Sequence, residues 1–100
     1  MIPLEYELLL SAVLFCIGLY GVLARRNGII VLMSIEIILN ASILNFVAFS
    51  SYSGDAIGQV FALLGIAVAA AEAAVGLAIL LAIYQTHGTI ELDKIRFLKW

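Results

Sequence analysis

The chain has 100 residues, of which 65% are hydrophobic and 12% charged, with a formal net charge of −2. An ordinary soluble domain is nearer roughly 45–50% apolar and about 25% charged, so this composition excludes one and points to a membrane protein. The small net charge implies no nucleic-acid partner, and there is no Gly-rich phosphate loop, no His/Cys metal-ligand cluster and no nucleophile–base pair at a recognisable spacing.

The first predicted span runs from Pro3, a residue suited to the first helical turn, to about Ala24. Glu5 and Glu7 lie in its opening turns, where acids complement the helix dipole and stay wetted at the interface. The span lacks a basic start and a small-residue cleavage site, so it is expected to stay in the mature chain. Ser11 is expected to bond back to its own helix, and Gly18, Gly21 and Ala24 offer close contacts on one side. The single cysteine, Cys16, reads as a small buried hydrophobe.

Arg25-Arg26-Asn27-Gly28 is a very short link, which makes the first two spans antiparallel neighbours. Two arginines there orient the link toward the cytoplasm. The opposite loop, 50–57, carries Asp55 and no Lys or Arg, whereas the segment after Tyr84 holds His87, Lys94, Arg96 and Lys99. The N-terminus is therefore expected outside and the C-terminus in the cytoplasm.

The second span, 28–49, places Ser34, Glu36, Asn40, Ser42 and Asn45 among aliphatic residues. Glu36 and Asn40 share one face, while Ser34 and Asn45 share another, so this helix is expected to meet protein on two sides. Ser34, Ser42 and Asn45 read as interhelical hydrogen bonders, worth about 0.6 kcal/mol each. Glu36 resists that explanation.

In the third span, 58–84, the 24 residues from Val60 to Ile83 contain eleven Ala or Gly, and Glu72 alone is neither apolar nor glycine. A mid-membrane acid costs roughly 2.5–3.5 kcal/mol on insertion scales, a cost that marks it as a functional candidate. At about 100° per residue, Gly65, Ala69 and Gly76 lie within about 60° of Glu72, so Glu72 is predicted to face protein rather than lipid. Counted from the cytoplasmic ends of their spans, Glu36 sits roughly 12 Å deep and Glu72 roughly 18 Å deep. Two carboxyls at similar depth in a low-dielectric site cannot comfortably both ionise. Such a pair can accept and pass a proton, with one or two waters bridging any remaining gap.

Several motifs point further. They are Met1-Ile2-Pro3-Leu4, Leu14-Phe15-Cys16-Ile17-Gly18-Leu19-Tyr20-Gly21 and Arg25-Arg26-Asn27, followed by Met33-Ser34-Ile35-Glu36-Ile37-Ile38-Leu39-Asn40-Ala41 and Ala69-Ala70-Ala71-Glu72-Ala73-Ala74-Val75-Gly76-Leu77-Ala78. With them the chain resembles, nearly end to end, the K subunit of proton-pumping NADH:quinone oxidoreductase, the smallest membrane subunit of respiratory complex I and its relatives. That resemblance implies a chain that carries no redox cofactor and catalyses nothing alone. It implies partners among antiporter-like and quinone-site-proximal membrane subunits. Glu36 and Glu72 would be proton-translocation residues, with Arg25, Arg26 and Asn40 as secondary contributors. Flavin, iron–sulfur clusters and a quinone or phenazine are expected in the partner subunits. The electron donor (NADH, ferredoxin or deazaflavin) stays open, as does the choice between H⁺ and Na⁺.

The expected architecture is thus an all-α, three-helix transmembrane domain over 1–84 with a cytoplasmic tail over 85–100. The resemblance implies a prokaryotic plasma membrane, or a thylakoid membrane, as its location. The tail matches neither a helical nor a strand period, and is expected to lie on a neighbouring subunit or the membrane surface, with Trp100 as an interfacial anchor. Besides a purely structural helix packer, in which Glu36 and Glu72 are neutral interhelical hydrogen bonders, two other readings compete. One is the small C-type subunit of a multi-subunit Na⁺/H⁺ antiporter. The other is an ATP synthase rotor subunit, which a third span and a second buried acid disfavour.

Overall fold

The computed structural model describes residues 3–94; the expected anchor Trp100 and its neighbours from Ile95 onward lie outside the described residues. Helix α1 spans Leu4–Ala24, α2 spans Gly28–Ser53 and α3 spans Ile57–His87, followed by a short 3-10 turn at Leu92–Lys94. All three long helices are apolar and long enough to cross a membrane. The 31 residues of α3 measure about 46 Å at about 1.5 Å per residue, longer than a hydrocarbon core of roughly 30 Å.

Two helices outrun their apolar runs: α2 continues past Phe49 to Ser53, and α3 past Tyr84 to His87. Hydropathy marks only where side chains stop being apolar. Backbone hydrogen bonding continues until a residue can take the left-handed turn that ends a helix, and here those residues are Gly54 (φ 73°) and Gly88 (φ 70°). At the start of α2 the Asn27 side chain accepts hydrogen bonds from the Ile29 and Ile30 N–H groups, capping the helix.

The middle helix organises the rest. On one side α2 meets α1: a Cβ placed on Gly18 would lie 2.7 Å from the Ser34 carbonyl oxygen, and one on Gly21 would run into the Ser34 hydroxyl. On the other side it meets α3 through Leu32 against Gly76 and Ile43 against Gly65. Leu32 and Ser34, or Ala41 and Ile43, are two residues apart and so about 160° apart around the helix axis. The helices therefore lie in a row, α1–α2–α3, with two broad faces open; the extents are 55 × 24 × 18 Å. The sequence expectation of protein on two sides of α2 corresponds to this arrangement.

The two seams differ in kind. Buried positions are small throughout (Ser11, Gly18 and Gly21 on α1; Ser34, Ala41 and Ala48 on α2), which brings the α1 and α2 backbones together. The Ser11 hydroxyl donates to the Ala41 carbonyl across this seam at 2.8 Å, rather than to its own helix. Conversely, Ser34 and Ser42 bond back to the Ile30 and Ile38 carbonyls instead of bridging helices. The reason is local: Gly21 faces Ser34 and offers no side-chain partner, so its hydroxyl turns to the carbonyl one turn back. Cys16 is exposed on α1, not buried, because the α2-facing stripe passes through Gly18 instead.

The segment after α3 also departs from expectation. Gly88 turns the chain back so that residues 90–92 run antiparallel to the α1–α2 link. The Gly28 N–H donates to the Ile90 carbonyl and the Leu92 N–H to the Arg26 carbonyl, both at 2.8 Å. The described part of the tail thus lies on its own chain. An extended segment with free N–H and C=O groups finds in the short link a backbone edge to pair with.

Candidate functional site

The register of the α2–α3 seam places the two intramembrane acids. Gly28 meets Leu80, Leu32 meets Gly76, Ile43 meets Gly65 and Ser50 meets Gly58, so every step up α2 is matched by an equal step down α3. Four residues on from the Leu32–Gly76 contact, the same register sets Glu36 level with Glu72. The offset in depth expected from the span ends disappears, because α3 runs farther than its apolar stretch and the seam contacts, not the ends, fix the alignment.

Both carboxylates line one groove of about 510 Å³, together with Leu32, Ile35, Val68 and Val75. Glu36 is half-buried in the seam itself, and its Oε1 is buried with no hydrogen-bond partner among the described residues. It also lines a second groove of about 400 Å³ with Asn40, Ile43, Ile66 and Ala69. At helical spacing, Ile35 and Val75 lie on one side of the seam while Asn40 and Ile66 lie on the other, so Glu36 stands between the two grooves.

Glu72 is exposed in the isolated chain. The stripe of α3 that packs on α2 runs through Gly58, Ala62, Gly65, Ala69, Ala73 and Gly76, and Glu72 stands just beside it. Among the described residues, it lines the groove it shares with Glu36. Asn40, also exposed, is brought to Glu36 but not to Glu72.

The arginines lie apart from the carboxylates, at the ends of α1 and α2. Arg25 is the exposed C-cap residue of α1. Arg26 pairs with Asp93 at 3.4 Å, with side chains 74% and 45% exposed, so this ion pair contributes little by itself. Asp93 escaped the sequence reading, since nothing in the pattern says that the tail returns to the link. Asn45 is a second surprise: its Oδ1 is buried without a partner among the described residues, and it lines grooves on both the α1 and α3 sides of α2. The heptad-like spacing of Gly58, Ala62, Gly65, Ala69 and Gly76 was the available signal for the α3 stripe.

With this geometry in place, comparison with known proteins is decisive. Residues 6–100 match the family model described as NADH-ubiquinone/plastoquinone oxidoreductase chain 4L. The chain belongs to this family. It is 60% identical over 98 residues to NADH-quinone oxidoreductase subunit K of Flavobacterium johnsoniae, covering 98% of this chain and 92% of the relative. The subunit K of Myxococcus xanthus is 54% identical over 99 residues, with 99% of both chains covered. NAD(P)H-quinone oxidoreductase subunit 4L of a Nostoc species is 56% identical over 99 residues, covering 97% of this chain and 98% of that one. All three names are those of oxidoreductase subunits, so chain 4L membership does not favour the antiporter alternative.

Proposed function

We propose that this chain is a membrane subunit of a complex I-type oxidoreductase and takes part in redox-coupled proton translocation through Glu36 and Glu72. The reading rests on one observation above all: the seam register sets the two carboxyls level, and both line the same groove. A proton entering the groove finds two acceptors in a low-dielectric setting, and Glu36 also reaches the groove on the far side of the seam. Charge changes in neighbouring subunits, driven by their redox chemistry, alter the cost of holding a negative charge at either site and so move the proton.

In this reading the chain does no redox chemistry itself. Flavin, iron–sulfur clusters and a quinone or phenazine belong to partner subunits, and the chain sits between antiporter-like and quinone-site-proximal membrane subunits. Arg25 and Arg26 place the α1–α2 link in the cytoplasm, with the N-terminus outside, in a prokaryotic plasma membrane or a thylakoid membrane. Asn40 serves as a polar neighbour on the far groove.

The test is Glu36→Gln, Glu72→Gln and the double substitution in the assembled complex, in membrane vesicles. Assembly should persist, since an amide replaces an acid of the same shape. Protons moved per electron transferred should fall in each single variant and collapse in the double. Normal pumping by the double variant would sink the relay.

A further inference from the structure

We propose that Gly88–Asp93 is a clasp that fixes the α2–α3 register and thereby positions Glu36 against Glu72; this rests on the relay reading above. Three parts of the chain converge at Gly28. A Cβ there would lie 2.6 Å from Leu80 Cδ2 on α3 and 3.1 Å from the Ile90 carbonyl oxygen of the returning segment. The same segment bonds on both sides of Asn27, through Gly28 N–H to Ile90 and Leu92 N–H to Arg26. Its shape is set locally by the left-handed Gly88 and by Thr89, whose hydroxyl accepts from the Glu91 N–H at 3.0 Å. Asp93 adds the ion pair to Arg26.

The consequence for the carboxylates follows from position. Glu36 lies eight residues after Gly28, and Glu72 lies eight residues before Leu80. The Gly28–Leu80 contact is therefore equidistant from both acids, about two turns or roughly 12 Å away. A slip of α3 by one residue would move Glu72 by roughly 1.5 Å along the axis and turn it by about 100°, out of the shared groove. Between the two ends, the seam sets Gly76 and Gly65 against the side-chain tips of Leu32 and Ile43, while at the connector end Gly58 packs against the Phe46 carbonyl. The connector 54–56 holds one end of the α2–α3 pair, and the clasp holds the other. Residues 88–93 act through Glu36 and Glu72 and are positioning residues.

The experiment uses Leu92→Pro, which removes the N–H that bonds Arg26, with Leu92→Ala as the variant that keeps it. Both are made in the assembled complex and read as protons moved per electron. We expect Leu92→Pro to lower that ratio at least twofold while electron transfer per assembled complex is retained, and Leu92→Ala to match the unaltered protein. A merely structural role would lower the amount of complex and leave the ratio unchanged, and that result overturns the clasp. If Leu92→Pro does not assemble, Thr89→Ala combined with Asp93→Asn supplies the graded test: a lowered ratio supports the clasp, an unchanged one overturns it. Hydrogen exchange of the unaltered complex checks the geometry. The Gly28 and Leu92 amides should exchange at least tenfold more slowly than unbonded amides, and free exchange overturns the proposal. Glu36→Gln and Glu72→Gln are run alongside. Full pumping in those variants means the relay itself fails; lost pumping there with an unchanged ratio in Leu92→Pro means that the clasp alone fails.

Discussion

Substituting Gly18 and Gly65 by alanine probes whether the two seams of α2 differ in rigidity. A Cβ at position 18 would lie 2.7 Å from the Ser34 carbonyl oxygen, 2.6 Å from Ile38 Cγ1 and 3.2 Å from the Ile38 backbone nitrogen. Carbon–oxygen contacts settle near roughly 3.3–3.6 Å, so the shortfall against the carbonyl is about 0.6–0.9 Å. That carbonyl sits mid-helix and cannot rotate away, so the α1 and α2 axes must separate, at the overpacking cost of about 1–3 kcal/mol. Replacing a helical glycine by alanine returns roughly 0.5–1 kcal/mol, which leaves a net destabilisation of about 0–2.5 kcal/mol, centred near about 1. At position 65 the new methyl would meet only the end of the Ile43 side chain, at 3.1 and 3.6 Å. A small rotation of Ile43 relieves it, and the propensity gain brings the net change to about zero or slightly favourable. The assay is the thermal midpoint of the detergent-solubilised complex, followed by retention of this subunit. Gly18→Ala should lower the midpoint while Gly65→Ala leaves it within error. If Gly18→Ala proves as stable as Gly65→Ala, the picture of an α1–α2 seam tight against backbone at Gly18 and an α2–α3 seam softer at Gly65 is wrong.

Other outcomes follow from the same geometry. Ser11→Ala removes the hydrogen bond to the Ala41 carbonyl and should cost about 0.6 kcal/mol, up to about 1.5, read as a small fall in the same midpoint; no fall would mean that water or another group takes over that carbonyl. Asn27→Ala strips the cap of α2 and should cost about 1 kcal/mol, with Asn27→Ser recovering most of it; equal loss in both would remove the cap as the cause. Glu36→Gln and Glu72→Gln should separate electron transfer from pumping, and Leu92→Pro should do so more weakly.

The three spans were legible because hydrophobic length is a one-dimensional property. A run such as Val60–Ile83 has to be a helix across a bilayer, since no other local structure satisfies its backbone there. The interruption of two such runs by Glu36 and Glu72 was equally plain, and so was the polarity of α2 on two faces. Hydroxyl partners were not. Ser11 was expected to bond within its helix and Ser34 across, and the structure does the reverse, because the partner depends on which backbone a glycine on the facing helix lets approach. Cys16 was misplaced for the same reason: an apolar run does not say which of its sides is covered.

By itself, then, the sequence determined the helix count, the apolar lengths and the two acids, because each follows from residue type and spacing along one strand of chain. Tertiary structure alone decided that the helices form a row, that Glu36 and Glu72 stand level across one groove, and that residues 90–92 fold back on the Arg26–Gly28 link. Each of those depends on how two helices slide and turn against each other. That register is set by contacts between residues far apart in the chain, such as Gly28 with Leu80 and Leu32 with Gly76, and no local pattern encodes them.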